Sequence, residues 1–319
     1  MIKPIQISRI IGYFFIVFES IAVIINPGLA QQTEQCASIR FADSAKPSIT
    51  AATAATSVIV ESLGYSCTTK LMTKSVALQE LKNDHIDIFM GIWMPEMLSE
   101  ITPYTNNGYI QILPPYLIGA RYGLCVPSYI YQAGVNSIND INKFKKEFQK
   151  RIYGLEPGNT LNKQLQFMIQ YNSLLSDWKL IESNEKEMLN AVKKAIDRHE
   201  WIVFVGWEPH PMNSMFNIMF LTDTHRSFGN LSEGASICSV VRTKWRDNCP
   251  ELMKIITNLS FSFDMVNAIM AIIKNQDIDP QTAAKYWLNE HPDHLKLWLQ
   301  NIKTIDGKEG YKAAIQFIK

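Results

Sequence analysis

With 31 basic and 30 acidic side chains among 319 residues, the chain has a formal net charge of only +1 and no field to draw it to nucleic acid or anionic lipid. A hydrophobic content of 47% and a charged content of 19% exclude a disordered chain and describe an ordinary globular one. That length exceeds one compact core of common size, so two lobes are expected.

The first thirty residues form an export signal. Lys3 and Arg9 give a positive start, Ile10 to Ile25 is almost wholly apolar, and Asn26 to Ala30 ends on small residues, with Gly28-x-Ala30 as the cleavage site. Read instead as an anchor, the apolar run falls just short of the ~17 residues of a spanning helix and is broken by Glu19. No cysteine stands at the cleavage point to take a lipid, so the mature protein is expected to be freely soluble in the periplasm.

The mature chain then alternates strand-like and helix-like runs. Ser38 to Ala42 is a predicted strand, Ile49 to Leu63 a helix closed by Gly64, Ser66 to Met72 a strand, Ser75 to Lys82 a helix and Ile86 to Trp93 a buried strand. This βαβαβ order predicts a parallel sheet flanked by helices, with ligands beyond the strands' carboxyl ends, at the loops Asp43 to Ser48 and Trp93 to Met97. A second set follows: strands at Arg121 to Val126, Ile152 to Leu155, Trp178 to Glu182 and Trp201 to Val205, with helices at Leu161 to Tyr171 and Lys186 to Arg198. Helices near Leu252 to Leu259, Met265 to Lys274 and Ala283 to Leu288 return to the first lobe. The expected division is 31–120 with 222–319 as one lobe and 121–221 as the other, with crossings near Gly119 to Arg121 and Phe220 to Thr222 and a cleft between. The Lys-rich run from Lys143 to Arg151 reads as a solvated helix face.

Five cysteines, Cys36, Cys67, Cys125, Cys238 and Cys249, show neither CxxC pairing nor metal-ligand spacing to a histidine, so no metal or cofactor is expected. Cys36 and Cys249, each just outside an apolar segment, are the favoured disulfide pair, and Cys125 reads as a buried small hydrophobe.

Three segments place an aromatic beside turn residues at a predicted strand end or crossing: Gly91-Ile92-Trp93-Met94-Pro95, Gly119-Ala120-Arg121-Tyr122-Gly123 and Gly206-Trp207-Glu208-Pro209-His210-Pro211. Such rings are suited to line a cleft. A trimethylammonium group has no N–H to donate, so what attracts it is the electron-rich face of Trp or Tyr, on the order of 1–2 kcal/mol per contact once water is excluded. His210, between two prolines, reads as a turn residue. No nucleophile motif is present, a Glu156–Glu208 carboxylate pair of glycosidase type lacks a sugar-binding context, and no enzymatic activity is expected.

The tryptophan segments, together with Asp87-Ile88-Phe89-Met90, Gly154-Leu155-Glu156-Pro157-Gly158-Asn159, Cys249-Pro250, Tyr286-Trp287-Leu288 and Trp298-Leu299, resemble in collinear order the choline-binding and glycine-betaine-binding proteins of bacterial ABC importers. The resemblance implies an α/β, two-lobed periplasmic binding protein of type II, each lobe a mixed or parallel sheet flanked by helices, with the ligand cleft between lobes. It implies a box of four aromatics around a quaternary-ammonium head, a permease with its ATPase as partners, and a monomer. By position, Trp93, Tyr122 and Trp207 match three box aromatics and Asn159 the polar residue of the second lobe. Where relatives carry a Gly-Trp-Thr-Asp run, this chain has Ala45-Lys46-Pro47-Ser48, so Lys46 stands for the fourth aromatic and Ser48 for the acid expected to bind a choline hydroxyl. A bare lysine about 5 Å from a quaternary cation would oppose it by roughly 3 kcal/mol at an effective dielectric of ~20. Three placements are open to Lys46: toward solvent, paired with Glu208, Glu156 or Asp43, or holding a ligand carboxylate. A sensor or adhesion module on the same scaffold is the alternative function.

Overall fold

The computed structural model describes residues 36–171, 175–222 and 234–319; the segment read as an export signal lies outside them. Among the described residues nine strands form one sheet: β1 (Ser38–Asp43), β2 (Ser66–Leu71), β3 (Ile88–Met94), β4 (Ile110–Pro127), β5 (Arg151–Tyr153), β6 (Lys179–Ile181), β7 (Phe204–Glu208), β8 (Ile218–Phe220) and β9 (Ala235–Arg242); eight follow the order β2-β1-β3-β9-β4-β7-β5-β6, and β8 lies off this path beside β4. The expected parallel unit is present, β1 pairing β2 and β3 in parallel, and β5 likewise lies parallel to β6 and β7. The central pairings of β9 with β3 and β4, and of β4 with β7, are antiparallel.

Two corrections follow. Arg121 to Val126 is not a separate strand but the second half of an 18-residue one, which pairs with β9 up to Ala120 and with β7 from Arg121 onward. β4 is thus shared by two half-sheets. The partner change falls at a close backbone approach: Gly119 and Gly234 both have positive φ, and a Cβ on Gly234 would sit 3.3 Å from the Gly119 Cα, so neither position readily takes a side chain. The crossing expected near Phe220 to Thr222 adjoins residues outside those described. The other correction concerns the lysine run, which forms no long helix. After a short 3-10 turn at Asn142–Phe144 come turns, in which Lys145 and Lys150 pair with Asp177.

Helix α1 (Pro47–Glu61) is buried along nearly all of Ser48 to Val60, because its alanine-rich sequence lets neighbours approach on every side. α2 (Lys74–Lys82) and α3 (Leu98–Asn106) follow β2 and β3, α4 (Thr160–Tyr171) and α5 (Glu185–Asp197) follow β5 and β6, and α6 (Pro250–Asn258), α7 (Phe263–Gln276) and α8 (Pro280–Glu290) return to cover the first half-sheet, all three contacting α1. Among the described residues no single helix is long and apolar enough to cross a bilayer. Cys36 and Cys249 are joined in a disulfide with a Cα–Cα distance of 5.6 Å, tying the start of β1 to the start of α6. Cys125 is fully buried and fills the space that a Cβ on Gly206 would need, 2.3 Å from the Cys125 Sγ. Beneath β1, β3 and β9 the buried Asp87 carboxylate takes hydrogen bonds from Arg40 and Arg242.

Candidate functional site

Trp93 and Tyr122 belong to different strands, β3 and β4, yet their rings meet at 5.8 Å between centroids, tilted by 51°. Tyr122 is in register with Trp207 across the antiparallel β4–β7 pair, which sets the two side chains on one face with Cβ atoms about 5 Å apart. Three strands therefore carry the three aromatics to the place where the half-sheets join. The rings sit on the strands rather than beyond them: Trp93 is the penultimate residue of β3, and β7 runs over Phe204–Glu208, three residues later than predicted, so that it includes Trp207. Trp93 and Tyr122 are buried, and Trp207 is half-buried against His210 at 4.4 Å.

Lys46 is the N-cap of α1, its carbonyl accepting from Ile49 and Thr50 at 2.9 Å. The loop before it is fixed by the buried Asp43, whose Oδ1 accepts from the Ala45 amide at 2.9 Å and the Thr50 hydroxyl at 3.1 Å, holding Ala45 at a positive φ of 57°. Burial raises the Asp43 carboxyl above its ordinary range, and the two hydrogen bonds act against it. Ser48 is buried in the first turn of α1. The Lys46 ammonium lies 3.6 Å from Glu185 and 3.9 Å from Glu156. Pairing with Glu156 is among the placements the sequence left open, and Glu185 is a partner the sequence did not suggest. Glu208 instead pairs with Arg121 at 3.0 Å. The pair joins the loop after β1 to the start of α5, from one half-sheet to the other. With the Lys46 side chain 45% exposed, it contributes at most about 1 kcal/mol. Its electrostatic effect is larger, because two carboxylates beside one ammonium cancel the repulsion that a bare lysine would exert.

Glu185 extends the network. Its Oε1 stands 3.1 Å from the Nε2 of His210, whose Nδ1 accepts from the Met212 amide at 3.1 Å, so Nε2 carries the proton and donates. Burial pushes the Glu185 carboxyl up, but the His210 hydrogen bond and the Lys46 ammonium outweigh it and the net direction is down. His210 is thus not a mere turn residue: it is buried, packs on Trp207 and links that ring to Glu185 and Lys46. Asn159 caps α4, its Oδ1 accepting from Leu161 at 3.0 Å and its Nδ2 donating to Glu156 at 3.2 Å. That leaves its amide one hydrogen and one lone pair for any further partner.

Residues 37–290 match the family of substrate binding domains of ABC-type glycine betaine transport systems. The chain belongs to this family. Its architecture agrees: an ABC-transporter choline binding protein in complex with choline superposes with a TM-score of 0.79 at 36% identity, covering 90% of this chain and 99% of that one. Lactococcal OpuAC in its closed-liganded conformation complexed with glycine betaine gives a TM-score of 0.72 at 27% identity over 82% of this chain and 99% of that one. The glycine betaine/carnitine transport binding protein GbuC of Listeria monocytogenes is 28% identical over 159 residues, 50% of this chain and 52% of that protein. The fold of this substrate-binding domain is accordingly α/β and two-lobed, and its family members serve transport, not catalysis.

Among the described residues the arrangement offers π faces from both half-sheets and a polar fringe. Glu185 and His210 escaped the sequence reading for different reasons. Glu185 opens a helix that is distant along the chain, and His210 was masked by its flanking prolines.

Proposed function

We propose that this domain captures a small quaternary-ammonium compound, of the choline, glycine betaine or carnitine kind, in the periplasm and delivers it as a monomer to an ABC permease and its ATPase. The lobes are 31–120 with 222–319, and 121–221, residues 1–30 being removed on export. The observation that carries this reading is the convergence of Trp93, Tyr122 and Trp207 from three strands. Each ring face contributes on the order of 1–2 kcal/mol to a desolvated cation. Asn159, Lys46 and Ser48 form the polar edge that orients the remainder of the ligand. The similarity to proteins solved with choline and with glycine betaine supports the same class.

Isothermal titration with choline, glycine betaine and carnitine tests the reading. Saturable heat with at least one is expected, and no heat with any removes the ligand assignment while leaving the fold intact. A Lys46→Trp variant exchanges the ion-paired corner for a fourth π face, and choline affinity is expected to rise about tenfold. An unchanged affinity would place Lys46 outside the ligand's reach.

A further inference from the structure

His210 is 3% exposed, and both of its ring nitrogens are used: Nδ1 accepts from the Met212 amide at 3.1 Å, and Nε2 donates to Oε1 of Glu185 at 3.1 Å. Its ring packs on Trp207 at 4.4 Å between centroids, tilted by 50°. Asn213 holds the same turn, its Nδ2 donating to the carbonyls of Trp207 at 2.9 Å and of His210 at 3.0 Å. Glu185 stands on a fixed element as the first residue of α5, whose cap is the Asn184 side chain, accepting from the Glu187 amide at 2.9 Å. An apolar residue at position 210 would fill the same space without any carboxylate, whereas a buried imidazole N–H requires an acceptor.

The other oxygen of that carboxylate serves the opposite half-sheet. Glu185 Oε2 lies 3.6 Å from the Lys46 ammonium, at the start of α1, while Oε1 is engaged by His210. One carboxylate thus stands between a lysine carried in the loop after β1 and the ring that supports Trp207 of β7. We infer that Glu185 is a positioning and charge-compensating residue of the ligand site: through His210 it fixes the Trp207 ring, and through Lys46 it keeps that ammonium from opposing a bound cation. The inference rests on the quaternary-ammonium reading above and deepens it.

Chemistry separates the two roles. A glutamine at position 185 keeps an oxygen for the His210 Nε2–H, and so keeps Trp207 in place, but it gives up the charge. Lys46 is then left with Glu156 at 3.9 Å, whose Oε1 also accepts from Asn159 at 3.2 Å. Contacts of 3.6, 3.1 and 4.4 Å link the ammonium to the Trp207 ring. At a separation on the order of 10 Å and an effective dielectric of ~20, roughly half a unit of uncompensated charge lowers the affinity for a cation about fourfold. An alanine removes the acceptor as well, which leaves a buried N–H unpaired and the imidazole free to turn away from Trp207.

The test titrates choline and glycine betaine into wild type, Glu185→Gln, Glu185→Ala and the double variant Lys46→Gln/Glu185→Gln. Without ligand, it follows acrylamide quenching of Trp207, taken as the fluorescence difference between each protein and its Trp207→Phe counterpart. Glu185→Gln is expected to bind choline about fourfold more weakly than wild type with Trp207 quenched as before, and adding Lys46→Gln should return the affinity at least to the wild-type value. Glu185→Ala should lose more than tenfold and expose Trp207 to the quencher. The glutamine pair reads the charge role whatever the stability of the alanine variant, and a residue that only supported the fold would not be rescued by a change at Lys46. Choline affinity of Glu185→Gln within twofold of wild type, no recovery with Lys46→Gln, or equal quenching in wild type and Glu185→Ala overturns the inference while binding persists. Absence of binding of either compound by wild type overturns the ligand class, and the charge role with it; the quenching, which needs no ligand, tells that failure apart from a failure of the positioning role.

Discussion

Replacing Trp207 with alanine is expected to weaken binding of the quaternary-ammonium ligand by about thirtyfold, while the protein remains folded. The figure follows from one desolvated π face, about 2 kcal/mol, and the tenfold change that each 1.4 kcal/mol brings. Trp207 is the informative choice because it is half-buried and packs on His210, whereas Trp93 is 8% exposed and counts among the core. Loss of the Trp93 side chain would mix a core cavity with the lost ligand contact, and the two costs would not separate. Trp207→Phe keeps a smaller face and should recover part of the affinity. Trp287→Ala serves as the control: its ring stacks on His291 at 4.2 Å in α8, on none of the three site strands, and it should lower stability without moving the dissociation constant. Titration calorimetry gives the affinities and thermal unfolding gives the stabilities. An affinity for Trp207→Ala within twofold of wild type would show that this ring does not hold the ligand.

The second large effect concerns stability. Asp87→Asn is expected to cost about 3–5 kcal/mol, measured by denaturant unfolding, because it leaves two guanidinium groups beside a position that no longer carries a countercharge. The carboxylate is 2% exposed, accepting at 2.7 and 2.9 Å from the Arg40 guanidinium, at 3.0 Å from the Arg40 amide and at 2.6 and 3.2 Å from Arg242. Arg40 is 34% exposed and Arg242 16%, so water relieves part of the repulsion and the lower end of the range is expected. Burial alone would raise the Asp87 carboxyl, but the hydrogen bonds and charges of the two arginines outweigh it and hold it low. With the folded value below the unfolded one, this stability is present above the ordinary aspartate range and is lost as pH falls through the depressed value. Wild type should therefore lose stability on acidification below about pH 4 more steeply than Asp87→Asn. Equal stability of the two proteins at neutral pH would show that the cluster is not a fastening of β1, β3 and β9.

The parallel unit β1–α1–β2–α2–β3 was legible because each element carries its own signal: a short apolar run, or apolar residues at helical spacing closed by Gly64. β9 was not, although Ala235–Arg242 is a buried strand. Its place between β3 and β4 is decided by pairing with residues far earlier in the chain, and local periodicity has no access to such pairing. Gly and Pro beside Trp93, Tyr122 and Trp207 pointed to cleft-lining rings, whereas Trp93 and Tyr122 are buried and count among the core. The charge pattern around these rings was only partly legible. Lys46 was visibly out of keeping with a cation site, but Glu185, which pairs with it, and His210, which holds Glu185, become neighbours only when the half-sheets are assembled.

The most direct measurement is a crystal structure with choline or glycine betaine bound. The ammonium nitrogen is expected within about 6 Å of the ring centroids of Trp93, Tyr122 and Trp207 together. A ligand held elsewhere, or these rings turned from one another around an empty gap, would contradict it.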